Sequence, residues 1–181
     1  MTMLQNMNRI SIQVGLSGYS FKIRTDKGST SSGWMTAERI FTTPEFQRRY
    51  PQVEISVFTP KVTLVPDQFH DDSDTARMLR PVADVAMNDE VSSVHVPEFG
   101  ASLVYSNNIG ETLSRAVSET VLERDGNKSL PLPEMYFMLR SVLDLQDYNK
   151  ILASYMDGIL YLVIAQGRSL MLCNSFQAPD F

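Results

Sequence analysis

Cysteine is almost absent from this 181-residue sequence, in which Cys173 is the only one. A single cysteine cannot form an internal disulfide, and this is typical of a protein from a reducing compartment. Long apolar runs are also missing, because the longest, Ile159–Ala165, is far too short to cross a bilayer. The start, Met1–Arg9, lacks the apolar segment of a signal peptide. The sequence therefore predicts a cytoplasmic protein without a membrane span.

Positive charge is not concentrated anywhere along the chain. The 16 lysine and arginine residues are outnumbered by 21 aspartates and glutamates, giving a net charge of −5 and a pI near 5.0. A nucleic-acid partner would require a basic face for its phosphates, so the sequence argues against one. With 43% apolar and 20% charged residues, the composition is that of a globular protein of one domain or two small ones.

Histidine is scarce as well, with two residues in the chain. His70 precedes the acidic run Asp71–Asp74, which helix capping explains without a metal. His95 lies on a predicted strand with no second histidine or cysteine nearby to complete a zinc site. Cys173 has no basic neighbour in sequence to activate its thiol, and its alternation with Met171 predicts an inward strand position. We therefore predict no metal site and no catalytic thiol.

The sequence does contain one repeated pattern. The segments Ile10–Ile23 and Ile159–Leu172 each alternate around a glycine turn, as a β-hairpin does. With Gly18 aligned to Gly167, apolar positions coincide along both strands. The aligned pairs are Ile10 and Ile159, Ile12 and Tyr161, Val14 and Val163, Phe21 and Leu170, and Ile23 and Leu172. This repeat predicts a protein with two related halves.

Strand and helix patterns are mixed between the hairpins, which predicts an α/β or α+β fold. Further strands are predicted over Trp34–Thr42, Val53–Phe58, Val62–Val65, Ser93–Val96 and Ser102–Tyr105. Helices are predicted to start at Thr43-Pro44, over Thr75–Ala86 and Ile109–Leu122, and in a connection through Leu139–Tyr155. A loop is predicted over Asp26–Gly33 and a linker over Glu123–Pro133.

Several short motifs, in their order along the chain, resemble those of a known family. They are the opening hairpin, Thr63–Pro66, Leu103–Tyr105 followed by a helix, and Leu172–Phe176 with Asp180-Phe181 behind it. The chain resembles a bacterial family of unknown function, number three-eight-two-two, whose fold is related to actin-like ATPases and to pilus- and secretion-assembly proteins. The resemblance implies an actin-like, ribonuclease-H-like fold with a mixed sheet and helices. It places an N-terminal subdomain over 8–125 and a partial C-terminal one over 130–181. Such proteins continue further, so we expect an incomplete second half.

The resemblance also implies where nucleotide chemistry would lie. Active actin-like ATPases carry Asp-x-Gly in both hairpins, and the carboxylates organise Mg²⁺ and the attacking water. Here Gln13 stands at the first of these places and Tyr161 or Leu162 at the second, and none of them brings a charge. A ribonuclease-H-type nuclease would need several inward carboxylates for two metals, which these strands lack. The family has no assigned catalytic residues, and we predict that the chain is not an enzyme.

The hairpin turns hold the remaining candidates for contact with a cofactor, which are Gln13, Gly15, Ser17, Gly18 and Gly167. Small residues in a turn let backbone N–H groups reach phosphate oxygens. A Gly-x-x-Gly turn is nevertheless common in hairpins that bind nothing. We predict no bound cofactor.

Two functions remain open at this point. The first is a non-catalytic actin-like protein that acts as an interaction or assembly scaffold, with a protein partner or with itself. An incomplete second half would leave the strand near Leu170–Asn174 as an exposed edge, which favours a homodimer. The alternative is a nucleotide-binding, ATPase-like switch with degenerate phosphate loops.

Overall fold

The structure is a computed structural model that describes residues 8–48, 50–108 and 131–179. In its first unit, alternating apolar residues place the first strand at the centre of a sheet. The strands of this first unit are β1 (Arg9–Val14), β2 (Tyr19–Thr25), β3 (Gly28–Ser31) and β4 (Gln52–Val57). Their order is β3-β2-β1-β4, with β1 antiparallel to β2 and parallel to β4. The core residues of this sheet are Ile10, Ile12, Val14, Tyr19, Phe21, Tyr50, Val53, Ile55 and Val57.

The segment between β2 and β4 departs from the prediction. The predicted strand Trp34–Thr42 is wrong, because Ala37–Thr42 forms a 3₁₀ helix, as its Ala-Glu-Arg start would favour. A third strand does exist, but it is Gly28–Ser31, inside the predicted loop Asp26–Gly33. All four of its residues are exposed, so the strand lacks the alternation of apolar and polar residues by which a strand is recognised. The helix predicted at Thr43-Pro44 is confirmed as a short 3₁₀ helix, Pro44–Gln47.

The second unit contains a three-stranded antiparallel sheet in the order β5-β7-β6. Its elements are β5 (Val62–Pro66), α1 (Thr75–Leu79), β6 (Val91–Val96) and β7 (Ala101–Ser106). Asp74 caps α1 as predicted, since its carboxylate accepts from the Arg77 N–H at 3.2 Å. The predicted extension of this helix to Ala86 is wrong. Arg80, the C-cap, still has helical backbone angles, but Pro81 has no N–H with which to continue the helical hydrogen bonds, so the regular helix ends at Leu79.

A second antiparallel sheet in this unit has the order β11-β10-β9. The strands of this sheet are β9 (Asn149–Met156), β10 (Ile159–Gln166) and β11 (Ser169–Gln177). Before them in the chain come the short strand β8 (Leu132–Pro133) and the helix α2 (Glu134–Asp144). The predicted hairpin is β10 with β11. The sequence predicts a helical connection through Leu139–Tyr155. Its first part is the end of α2, which stops at Asp144, and its second part is wrong because it forms the strand β9. Ile151, Leu152 and Tyr155 have a spacing that also fits a helix, and only pairing with β10 decides for a strand.

One core joins α2 and both sheets of the second unit. Its buried residues are Phe58, Val62, Val96, Leu103, Tyr105, Met135, Met138, Leu139, Val142, Ile159, Tyr161, Val163 and Ala165. Residues 58–108 therefore fold with 132–179, and residues 8–57 form a separate core. The sequence-based subdomains, 8–125 and 130–181, divide the chain differently and stay a prediction about the actin-like plan. The predicted helix Ile109–Leu122 and most of the predicted linker lie outside the described residues.

A buried carboxylate joins three segments of the second unit. The Asp89 side chain is fully buried, and one of its oxygens accepts from Lys61 Nζ at 2.5 Å and from the Ala86 N–H at 3.0 Å. Its other oxygen accepts from Asn108 Nδ2 at 2.7 Å. These hydrogen bonds, the one from Lys61 above all, hold the pKa of Asp89 below its usual range. The network fastens the loop before β6 to the ends of the β5–β7 sheet.

We expect Asp89→Asn to lower the free energy of unfolding by about 1–3 kcal/mol at neutral pH, because charge-assisted hydrogen bonds are lost. The pKa of Asp89 is lowered on folding, so its stabilisation is complete above the unfolded-state value of about 3.9. It is lost as the pH falls through the folded-state value. Urea unfolding from pH 7 downward should show the difference between the proteins shrinking in acid. The exposed Asp84→Asn is the matched control, and a difference independent of pH would contradict the prediction.

Candidate functional site

The turn of the first hairpin is bound by another segment of the same chain. Residues Gly15–Gly18 connect β1 to β2, and the Gly15 N–H donates to the Gly18 carbonyl at 2.9 Å. The Tyr19 N–H donates to the Met35 carbonyl at 2.8 Å, and the Met35 N–H returns a bond of 2.7 Å. A Cβ at Gly18 would lie 2.0 Å from the Met35 carbonyl oxygen. Glycine is therefore required here by the close approach of Met35.

Two polar side chains of this hairpin have partners in the same unit. Gln13 Oε1 accepts from Ser20 Oγ at 3.3 Å. Ser17 Oγ accepts from Trp34 Nε1 at 3.1 Å. The structure thus gathers the four candidates of the first hairpin at one end of β1 and β2, whereas Gly167 belongs to the second unit.

Sequence reasoning missed a carboxylate on this sheet. Glu54 on β4 lies opposite Ser11 in the parallel register, and Ser56 lies opposite Gln13. Ser11 Oγ donates to Glu54 Oε2 at 3.1 Å. No local pattern reveals this contact, because it depends on β4 pairing with β1 after a long connection. Glu54 is exposed, and a single carboxylate does not make the two-metal arrangement of a nuclease.

The second hairpin turns differently from the first. β1 ends at Val14, whereas β10 continues to Gln166, so that Gly167-Arg168 alone forms the turn. The Gly167 N–H donates to the Tyr148 carbonyl at 2.7 Å. A Cβ at Gly167 would lie 3.3 Å from the Tyr148 ring, and the φ of +56° also favours glycine. Four of the five apolar pairs of the repeat face a core in both hairpins. In the fifth pair, Ile23 packs against the first core, whereas Leu172 shares the opposite face of its sheet with Ile164. The two turns are not equivalent in shape.

Tyr161, which the alignment places at the second carboxylate position, lies in an apolar environment. Tyr161 is 1% exposed, and its ring contacts that of Phe58 with centroids 5.7 Å apart. Its hydroxyl has no hydrogen-bond partner among the residues described. Burial, with smaller contributions from Asp157 and Glu134, raises the pKa of Tyr161 above its usual value. Asp157 itself occupies the β9–β10 turn with a φ of +53°, as expected of a turn residue.

Of the other candidates of the sequence, Asp71, His95 and Cys173 have structural partners, whereas His70 Nε2 is buried without a hydrogen-bond partner in the described part of the chain. Asp71 accepts from the backbone and side chain of Ser73, which lowers its pKa. His95 Nε2 lies 3.1 Å from Asp67 Oδ2. Cys173 packs against the core of the second unit, and burial raises the pKa of its thiol to about 12. Within the described part of the chain, no three histidine, cysteine or acidic side chains gather as a metal site requires.

An apolar surface lies on the side of the β9–β10–β11 sheet that faces away from its core. On β10 the side chains from Ile159 to Ala165 alternate between buried and half-buried, and Gln166 at the end of the strand is exposed. Directly opposed residues of paired strands share a face, so the register assigns the members of this surface. We call it the outer face. Its apolar members are Ile151, Ala153, Tyr155, Leu160, Leu162, Ile164, Leu172 and Phe176, and the polar Asn174 lies among them, opposite Leu162. Met171, the extra residue of a β-bulge, lies beside it and is 60% exposed.

Part of the outer face is exposed to solvent. Ile151 is 67% exposed, and Tyr155 and Phe176 are 40% exposed. Met171 and the half-buried members extend this apolar surface, and contiguous apolar surface on a protein often marks an interaction site.

The comparisons with known proteins agree with this fold. Residues 4–181 match the family model described as "Protein of unknown function (DUF3822)". The chain belongs to this family. The resemblance predicted from the short motifs is therefore confirmed, and no curated protein matches.

Solved structures add the fold. A Bacteroides thetaiotaomicron protein "with actin-like ATPase fold and unknown function" is similar at 14% identity and a TM-score of 0.74, over 98% of this chain and 74% of that chain. A PilM–PilN type IV pilus biogenesis complex is similar at 10% identity and a TM-score of 0.51, over 96% and 63%. The chain therefore has an actin-like ATPase fold of the α+β class, as predicted. Across the described ranges, no helix has the length and apolarity needed to span a bilayer.

We expect Gly18→Ala to destabilise the first unit by about 3 kcal/mol, because the new methyl group would collide with the Met35 carbonyl. Gly33→Ala is the matched control. Gly33 has a φ of +69° but open space around it, so only the conformational cost of about 1 kcal/mol applies. Urea unfolding measures both. Equal effects would show that Gly18 is not held by this contact.

We expect Tyr161→Phe to leave the free energy of unfolding within about 1 kcal/mol of the wild type, or to raise it. The change removes a buried hydroxyl without a partner and keeps the ring. Tyr19→Phe is the matched control, since the buried Tyr19 hydroxyl lies 2.9 Å from Thr43 Oγ1 and its loss should cost about 1 kcal/mol. Thermal unfolding of both variants is the measurement. A larger loss for Tyr161→Phe would indicate a partner of its hydroxyl.

Proposed function

We propose that this member of the DUF3822 family is a non-catalytic protein of the actin-like fold that works by binding other proteins. The observation that carries the proposal is the outer face of the β9–β10–β11 sheet. Apolar surface costs free energy while it faces water, and covering it contributes about 25 cal/mol for each Å² removed from water, before the costs of association. A protein surface of matching apolarity is the partner this face fits.

The hairpins support the non-catalytic part of the proposal. Gln13 is an uncharged amide bonded to Ser20, and Tyr161 is a core phenol. Neither can hold a metal-bound water as a carboxylate would. In both turns the backbone beside the glycine is bound to the chain's own carbonyls, at Met35 and Tyr148. Backbone N–H groups that are bound within the chain are not available to a phosphate, and this supports the non-catalytic proposal.

The fold neighbours support a role in assembly. One of them is solved as a PilM–PilN complex of type IV pilus biogenesis. An actin-like fold of similar layout therefore engages another protein, and we extend that kind of role to this chain. The net charge of −5 and the scattered basic residues favour a protein over a nucleic acid. The single, half-buried Cys173 fits a cytoplasmic location.

The experiment that tests the proposal has two arms. In the first, tagged wild-type protein and the Leu162→Glu variant are used to capture partners from the source cells. A partner should be held by the wild type and released by Leu162→Glu, because a charge is placed at the centre of the outer face. Ser29→Glu, on the polar edge strand β3, is the matched control and should keep the partner. A partner retained by Leu162→Glu, or none captured at all, would count against the outer face.

In the second arm, calorimetry and thermal unfolding are recorded with millimolar Mg-ATP. We expect no heat and no rise in melting temperature, since binding to the folded state must stabilise it. A clear rise would favour the second candidate, the nucleotide-binding switch, which rests on the ATPase fold alone. Release of phosphate from ATP that Gln13→Ala abolishes would refute the non-catalytic assignment.

A further inference from the structure

The sheet of the first unit has one face on which β1 to β4 carry no apolar side chain. Directly opposed residues of paired strands share a face, so the registers assign its members. We call it the polar face. Its members on β3 and β4 are serine, glutamine and the single acid Glu54. Those on β1 and β2 are Arg9, Ser11, Gln13, Ser20, Lys22 and Arg24. Layers of a fold pack on a sheet through apolar side chains, so this face has the composition of a surface.

Three positive charges gather on the polar face. Arg9 and Arg24 are direct partners in the antiparallel register of β1 and β2, which places their Cβ atoms about 5 Å apart. Lys22 lies two residues before Arg24 on β2, about 7 Å away along the same face. Lys22 and Arg24 are exposed, and Arg9 is half-buried. The cluster is not evident in the sequence, because the hairpin separates Arg9 from the other two.

These three charges are not neutralised within the described part of the chain. None of the three side chains has an ion pair or a hydrogen bond there. Glu54 lies on the far side of β1 and accepts from Ser11. Like charges that face each other destabilise an antiparallel pair, so the pairing of Arg9 with Arg24 is unfavourable for folding alone. An anion bound beside them would remove this repulsion.

We propose that the polar face binds an acidic segment of a partner protein, whose carboxylates are held by Arg9, Lys22 and Arg24. This assigns a second binding surface, in the first unit, and goes beyond the proposed function, which concerns the outer face. A guanidinium group pairs with a carboxylate through two parallel hydrogen bonds. Exposed ion pairs contribute little one at a time, so a cluster that forms several together is what such binding requires.

The spacing of the cations favours an extended segment. Side chains on one face of a strand repeat about every 7 Å, and this is the spacing of Lys22 and Arg24. An extended peptide with an acid at every second position repeats its carboxylates at the same distance and can meet both. Ser31 and Ser29 lie opposite Lys22 and Arg24 on β3, and their hydroxyl groups are further donors beside the cations.

The charge of the whole chain favours a short acidic segment over a large polyanion. A nucleic acid or an anionic membrane carries negative charge over a wide area, and a net charge of −5 opposes its approach. The cluster covers two neighbouring strands, with Glu54 close by on β4. Asp26 and Lys27, in the turn between β2 and β3, add no net charge. A partner therefore meets these cations through few residues.

Binding of a synthetic peptide tests the proposal. The probe is a labelled peptide in which glutamate and serine alternate, and the same peptide with glutamine in place of glutamate is its control. Fluorescence anisotropy at low salt measures both dissociation constants. We expect the protein to bind the glutamate peptide and not the glutamine peptide. The affinity should fall as salt is added, since exposed charges are screened.

Substitutions show whether the cluster holds the peptide. Arg24→Gln should weaken binding about fivefold, because one exposed ion pair is lost. Arg168→Gln is the matched control, since it removes an exposed arginine from the turn of the second hairpin and should leave the affinity unchanged. The melting temperature of Arg24→Gln should equal or exceed that of the wild type, because repulsion from Arg9 is relieved. A lower melting temperature would overturn the proposal by showing that Arg24 stabilises the fold.

Two further variants separate this surface from the outer face. Ser29→Glu places a carboxylate opposite Arg24 and should weaken binding of the glutamate peptide while keeping the partner of the outer face. Leu162→Glu should bind the peptide as the wild type does, because Leu162 belongs to the second unit.

Several results would overturn the proposal. They are no binding at low salt, equal affinity for the two peptides, and equal losses in Arg24→Gln and Arg168→Gln. Tighter binding of a single-stranded oligonucleotide, or of vesicles that contain anionic lipid, would also overturn it. In each of those cases the capture experiment with Leu162→Glu still decides the proposed function.

Discussion

The second unit depends on the alternation of side chains along β10. Ile159, Tyr161, Val163 and Ala165 point into the core, where α2 and the β5–β7–β6 sheet pack around them. The side chains between them are apolar as well, so the strand is a continuous apolar run. Such runs are typical of strands that are covered on both faces. In the described chain only the inner face is fully covered, and the half-buried side chains that alternate with the core residues form the outer face.

Both hairpins and most strands could be predicted, because each has its own local signal. Period-two alternation around glycine indicated β1–β2 and β10–β11, and the Thr-Pro sequence indicated the start of a short helix. The predictions failed where local signals were ambiguous or lacking. Ile151–Tyr155 fits a helix and a strand equally well in sequence, and the pairing with β10 decided it. The polar strand Gly28–Ser31 has no apolar pattern at all.

The candidate site was predictable in its chemistry but not in its geometry. The lack of carboxylates at Gln13 and Tyr161 is visible in the sequence. The reason for the turn glycines is not, because it lies in contacts with Met35 and Tyr148, which come from other parts of the chain. The outer face was equally hidden, since exposure on one side of a sheet depends on what packs on the other. Distant contacts therefore account for what the sequence could not show.

The two hairpin turns make different contacts within the chain. In the first, a backbone bridge from Met35 occupies the space beside Gly18, and in the second the strands lengthen and Tyr148 packs on Gly167. Close packing therefore explains both glycines, and their presence in the two turns is by itself no evidence of a phosphate site.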